Sequence, residues 1–136
     1  MTTELLAPAG GQEALVAAVQ SGADAVYMGF GAFNARRSAR NFSDEEFRAA
    51  VSYCHLRGVK VYLTLNTLVT DRELPALAAE ARTASECGVD AILVQDWGVL
   101  ATLQKIIPDV PLHASTQMSL HTLSGCLLYT SDAADE

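Results

Sequence analysis

Basic residues are scarce in this chain: nine Lys and Arg stand against sixteen Asp and Glu in 136 residues, a net charge of −7. That balance excludes a surface that coats nucleic acid generally, because phosphate binding relies on clustered cations; a local basic patch stays open. Cysteine is scarce too. Cys54, Cys87 and Cys126 are scattered with no Cys-x-x-Cys pair, which excludes a disulfide framework and a complete metal site. No apolar run reaches the roughly 18 residues a membrane span needs, and Met1-Thr-Thr-Glu4 lacks a basic region before an apolar stretch. A cytoplasmic protein without membrane contact is therefore expected. No Gly-x-Gly-x-x-Gly follows the first apolar segment and no serine has a Gly-x-Ser-x-Gly signature, which argues against a dinucleotide fold and a hydrolase elbow.

What is present is repetition. Gly22-Ala-Asp-Ala-Val-Tyr, Gly58-Val-Lys-Val-Tyr-Leu and Gly88-Val-Asp-Ala-Ile-Leu each open with Gly and run into an apolar, partly β-branched stretch. Gly suits the left-handed turn past a helix end, and the apolar run reads as a strand buried on both faces. Apolar stripes fill the gaps: Ala14, Leu15, Ala18 and Val19; then Phe47, Ala50, Val51 and Cys54; then Leu74, Leu77, Ala78 and Ala81. Ser43-Asp-Glu-Glu46 reads as a capping box, with Phe42 and Phe47 placed as a hydrophobic staple; Thr70-Asp-Arg-Glu73 offers a second box. A fourth helix over 99–107 is stopped by Pro108. Strands are expected at 4–9, 25–30, 60–66, 91–95 and 112–118.

Strict alternation builds a parallel sheet through right-handed crossovers. The expected architecture is α/β, the N-terminal part of a TIM-like (βα) barrel with five parallel strands and four helices. A closed eight-stranded barrel usually takes about 200 to 250 residues, so the barrel is expected to be incomplete. Its open sheet edges would favour self-association, and the chain alone is expected to be inactive.

Residues 1–125 form the expected barrel part. From Cys126 the text changes: Cys126-Leu-Leu-Tyr-Thr-Ser-Asp-Ala-Ala-Asp-Glu136 continues neither the helical stripe nor a strand. It resembles the translation of a transposon-end adapter used in preparing DNA libraries, and 126–136 are expected to lie outside the fold. This tail holds three acidic residues and no basic one, leaving nine basic against thirteen acidic residues before it, or −4.

Candidate chemistry gathers at strand ends, where barrel enzymes keep their sites. In Leu112-His-Ala-Ser-Thr-Gln-Met118, alternation puts His113, Ser115 and Gln117 on one face. His113 reads as a general acid or base and Gln117 as a substrate contact; a hydrogen-bonded polar layer is the alternative for both. Asn66 ends the third strand on the face of Thr64 and Tyr62, suited to substrate contact or to ordinary turn chemistry. Asp96 ends the fourth, as a substrate contact or as the N-cap of the next helix. The long loop Gly29-Phe-Gly-Ala-Phe-Asn-Ala-Arg-Arg-Ser-Ala-Arg-Asn41 holds Asn34, Arg36, Arg37 and Arg40. It is the one basic patch and fits a carboxylate or phosphate. Phe30 and Phe33 either stack on a base or pin the loop. Gly10-Gly11 could aim backbone N–H groups at an anion, and a tight turn explains it equally well. Cys54 and Cys87 read as small buried apolar residues.

Glu4-Leu-Leu-Ala-Pro-Ala-Gly10, Gly22-Ala-Asp-Ala-Val-Tyr-Met-Gly29, Leu65-Asn-Thr-Leu68, Gly88-Val-Asp-Ala-Ile-Leu-Val-Gln-Asp96 and His113-Ala-Ser-Thr-Gln117 occur in this order. Together they resemble the N-terminal region of the collagenase-like protease family, peptidase family U thirty-two, from about residue 4 to 125. The resemblance implies a barrel-like catalytic domain. It also implies one of two activities: a peptidase of unknown catalytic type, or an oxygen-independent hydroxylase of RNA bases or a quinone precursor. The last three phrases resemble the ribosomal-RNA branch. The hydroxylases imply an iron–sulfur cluster on four cysteines and, for RNA enzymes, prephenate. The cysteine-rich signature lies downstream of the family region present here, so no cofactor is expected on this chain. RNA or peptide is the implied partner of the whole protein.

Overall fold

The computed structural model describes residues 2–31, 33 and 42–134, with no account of side chains from 131 onward. Asn34, Arg36, Arg37 and Arg40 thus lie outside the described residues. Five strands appear, β1 (Leu6–Pro8), β2 (Ala25–Met28), β3 (Lys60–Leu65), β4 (Ala91–Val94) and β5 (Leu112–Ala114). All pair in parallel, in the order β1-β2-β3-β4-β5. The helices between them are α1 (Gln12–Gln20), α2 (Asp44–Leu56), α3 (Leu74–Cys87) and α4 (Trp97–Ile106). After β5 come a 3₁₀ turn (Thr116–Met118) and α5 (Leu123–Ala134). This is an open part of a TIM-like barrel. Among the described residues β1 and β5 each have one neighbour, so the sheet does not close.

The two faces of the sheet differ. Val26, Met28, Val61, Leu63, Leu65, Ile92 and Val94 pack with Leu15, Phe47, Val51, Leu77, Leu100 and Leu103 of the helices into the main core. The opposite face holds a small cluster of Ala25, Tyr62 and Ala91, flanked by Tyr27 and Leu93. Strands buried on both sides need continuous apolar sequence, and Val61 to Leu65 are all buried.

Local signals explain several boundaries. The Ser43 hydroxyl accepts from the Glu46 N–H at 3.2 Å and the Glu46 carboxylate accepts from the Ser43 N–H at 3.1 Å, the expected box. Phe42 and Phe47 are both buried beside it. Gly88, at φ +89°, ends α3 in the left-handed conformation a Cβ disfavours.

Other boundaries correct the sequence reading. Thr70 donates to Glu73 through both its N–H (2.9 Å) and hydroxyl (3.0 Å), but the helix begins only at Leu74. The pair closes a turn ahead of α3 instead of capping it, and Pro75 falls in the first helical turn, where its missing N–H costs nothing. Strand β5 stops at Ala114, not at 118. The Ser115 hydroxyl accepts from the Gln117 N–H at 3.2 Å, and this local bond competes with the strand ladder. Gln117 is therefore not on a strand face with His113. The helical pattern that starts after Ser119 does not stop at Gly125: α5 runs on through Cys126, and the Tyr129 hydroxyl donates to the Leu112 carbonyl.

One device of the repeats was not anticipated. In Gly22-Ala-Asp24 the carboxylate accepts from the Leu5 N–H at 2.7 Å; in Gly88-Val-Asp90 it accepts from the Val61 N–H at 2.7 Å. Each aspartate satisfies a backbone donor at the start of the strand before its own, where the ladder supplies no partner. Lys60 holds the third equivalent position.

Candidate functional site at the strand ends

Register defines the site. Leu65 is level with Val94, and Val94 with Ala114. One residue further on, Asn66, Gln95 and Ser115 form a row across three neighbouring strand ends. Alternation places this row on the face of Thr64, Leu93 and His113, opposite the face the helices cover. The Asn66 amide donates to the Ser115 hydroxyl at 3.4 Å, joining residues 49 apart in sequence. Ser115 is buried, Asn66 and Gln95 are half-buried, and Gln117 is exposed one turn beyond. The fold therefore brings Asn66 to Ser115, with Gln117 on the adjoining 3₁₀ turn. Gln95 was missed by sequence reasoning. The signal was its place between the last residue of β4 and Asp96.

His113 belongs to a lower layer. Its ring meets Tyr62 edge-on, with centroids 5.1 Å apart, and the Tyr62 hydroxyl donates to both Glu4 oxygens at 2.8 and 3.0 Å. Burial, then the hydrogen bond and charge of Glu4, push the Tyr62 hydroxyl up to about 12, so it stays a donor. Glu4 and Tyr62, 58 residues apart, were not paired by the sequence.

Asp96 does structural work at the same rim. Its carboxylate accepts from the N–H groups of Gly98 (2.7 Å) and Val99 (3.3 Å), capping α4, and from Val69 at 3.5 Å. It thereby ties the loop after β3 to the start of α4. Phe30 stacks on Phe47 with centroids 4.6 Å apart, and Phe33 is buried. Both rings belong to the buried core, which leaves neither free to stack on a base. That loop leaves β2 through Gly31, at φ +72°, where a Cβ would collide with the Glu80 carboxylate of α3. Gly11, the N-cap of α1, has extended backbone and no side-chain capping bond.

The cysteines do not suit a metal cluster. Cys54, Cys87 and Cys126 stand on three different helices, and among the described residues no group of three or more His, Cys, Asp or Glu could hold a metal. Burial pushes the Cys54 thiol up to about 11 and also raises Cys87; cluster ligation needs thiolates.

An open parallel sheet with helices on one face and polar groups along the strand ends is the architecture of part of a βα-barrel protein. The sequence profile described as Peptidase family U32 matches residues 10–135, and the chain belongs to that family. It is 34% identical over 128 residues to a collagenase of Porphyromonas gingivalis, covering 93% of this chain and 30% of that protein. It is 33% identical over 132 residues to the tRNA hydroxylation protein P1 of Bacillus subtilis, covering 97% and 31%. To a 23S rRNA 5-hydroxycytidine synthase of Escherichia coli it is 41% identical over 122 residues, covering 88% and 18%. The chain thus spans about a third or less of these relatives. A solved structure of the U32 peptidase Mk0906 superposes with a TM-score of 0.76 at 15% identity, over 96% of this chain and 55% of that one. No described helix is long and apolar enough to cross a membrane.

Proposed function

We propose that this chain supplies part of the substrate-binding face of an oxygen-independent hydroxylase of RNA bases. The observation that carries the reading is the amide and hydroxyl row Asn66, Gln95, Ser115, with Gln117 beside it, in a chain 41% identical to an rRNA hydroxycytidine synthase. Amides donate and accept at once, which suits the edge of a planar base. The Ser115 hydroxyl meets an amide and a backbone N–H, neither of which can take its proton as a general base would.

In this reading Asn66 and Gln117 orient the base and His113 serves as the proton carrier below them, with Asp96 holding the rim. Asn34, Arg36, Arg37 and Arg40 take an anionic partner, an RNA phosphate or the carboxylates of prephenate. The iron–sulfur cluster belongs to the longer protein, on cysteines outside this sequence, and the enzyme works in the cytoplasm. The tail from 126 to 136 is an adapter scar. Alone, the chain is inactive and self-associates through the edges of β1 and β5.

The 34% identity to a collagenase favours a second reading, a peptidase. One experiment separates them: delete the gene in its host, analyse tRNA and rRNA nucleosides by mass spectrometry, and assay gelatin cleavage. Loss of a hydroxylated pyrimidine with gelatin cleavage unchanged is the expected result. Unchanged nucleosides with lost gelatinase activity would put the peptidase in its place.

A further inference from the structure

The chain has a single tryptophan, Trp97, and it is not in the core. Helix α4 buries Val99, Leu100 and Leu103, whereas Trp97, its first residue, is 37% exposed. The loop after β3 presents Leu68, 71% exposed. The Val69 N–H reaches the Asp96 carboxylate at 3.5 Å, and Leu68 and Trp97 each adjoin one end of that bond in sequence. Leu68 follows Asn66 by two residues and Trp97 follows Gln95 by two, just past the ends of β3 and β4. With over a third of its surface exposed, the Trp97 indole offers an aromatic face on which a flat ring can stack.

We propose that Trp97, backed by Leu68, is a stacking subsite for a pyrimidine base of single-stranded RNA, whose edge is read by Asn66 and Gln117. This rests on the RNA reading above and names a binding group it lacked. Stacking on aromatic side chains is the sequence-tolerant part of single-strand recognition, and losing one such contact weakens binding roughly 5- to 150-fold. The Asp96 cap bonds to Gly98 and Val99 through backbone N–H groups, so a substitution at Trp97 leaves it in place.

Because Trp97 is the one indole, its emission reports on this position alone. Titrate the chain with a short fluorescently labelled pyrimidine RNA, reading anisotropy for binding and tryptophan emission for contact, and repeat the anisotropy with Trp97→Ala and Trp97→Tyr. The proposal expects binding that quenches Trp97, at least 5-fold weaker binding by Trp97→Ala, and substantial recovery in Trp97→Tyr. RNA binding with unchanged emission and an unaffected Trp97→Ala variant would overturn the subsite and leave the RNA reading standing. No binding by the unaltered chain would remove both from it. Self-association through the sheet edges that also blocks RNA quenching of Trp97 would show the indole covered by a second copy, and would likewise overturn the proposal.

Discussion

Asp90→Ala should be among the costliest substitutions of a polar residue in this fold. Its carboxylate accepts from the Val61 N–H at 2.7 Å and from His55 Nε2 at 2.8 Å. Val61 is fully buried at the start of β3, so removing the acceptor strands a backbone donor where water enters poorly. A hydrogen bond to a charged group is worth about 1.5–3 kcal/mol, and an unsatisfied buried donor costs about 1–3 kcal/mol. These are two views of the same loss, and about 2–3 kcal/mol is expected. The histidine contributes little of it. With side-chain exposures of 40% and 31%, the pair is a surface one, worth about 0–1 kcal/mol. Asp24→Ala removes the equivalent bond from Leu5, which is 56% exposed; water replaces the acceptor there, and about 1 kcal/mol is expected. At about 4 °C per kcal/mol for a chain of this size, the melting points should fall by about 10 °C and about 4 °C. Urea denaturation followed by circular dichroism gives the free energies directly, provided the slope is unchanged. Equal costs for Asp90→Ala and Asp24→Ala would refute the argument from burial. So would a His55→Ala variant as damaged as Asp90→Ala, since the ion pair would then carry the effect.

Ser43→Ala breaks the reciprocal bonds at the start of α2 and should cost about 1 kcal/mol by the same urea assay; a neutral result would show the cap idle. Phe47→Ala empties a fully buried site stacked on Phe30 and should cost about 3–5 kcal/mol, with Phe47→Leu costing clearly less. The raised thiol of Cys54 predicts an alkaline effect. Its pKa rises from 9.0 to about 11 on folding, so the unfolded chain loses that proton first. Stability from this group is full below pH 9 and falls as pH rises through about 11. Cys54→Ala should flatten that part of a stability–pH curve, and an unchanged slope would count against it.

The alternation of strands and helices was legible because it rests on local causes. Gly22, Gly58 and Gly88 take positive φ where the sequence put helix ends, and the box at Ser43 forms because both partners lie within one turn. Asp96 was legible as a cap for the same reason. Thr70 and Glu73 were misread because the same spacing also closes a free turn, and the point at which the backbone becomes helical, Leu74, decides between the two. The end of β5 was misread because alternation continues on paper through Gln117, whereas the Ser115 hydroxyl diverts the backbone. Phe30 and Phe33 had two open roles until their burial in the core was known.

What the sequence determined by itself is the order of elements and the parallel sheet, since periodicity, propensity and capping act over a few residues. What only the tertiary structure decided is who meets whom across the sheet. Asn66 reaches Ser115, Tyr62 reaches Glu4, and Asp24 and Asp90 cap strands other than their own. Those partnerships depend on strand register, where a slip of one residue turns every side chain to the other face. Register is set by packing of the whole core against the helices, a sum over many distant residues that no single segment carries.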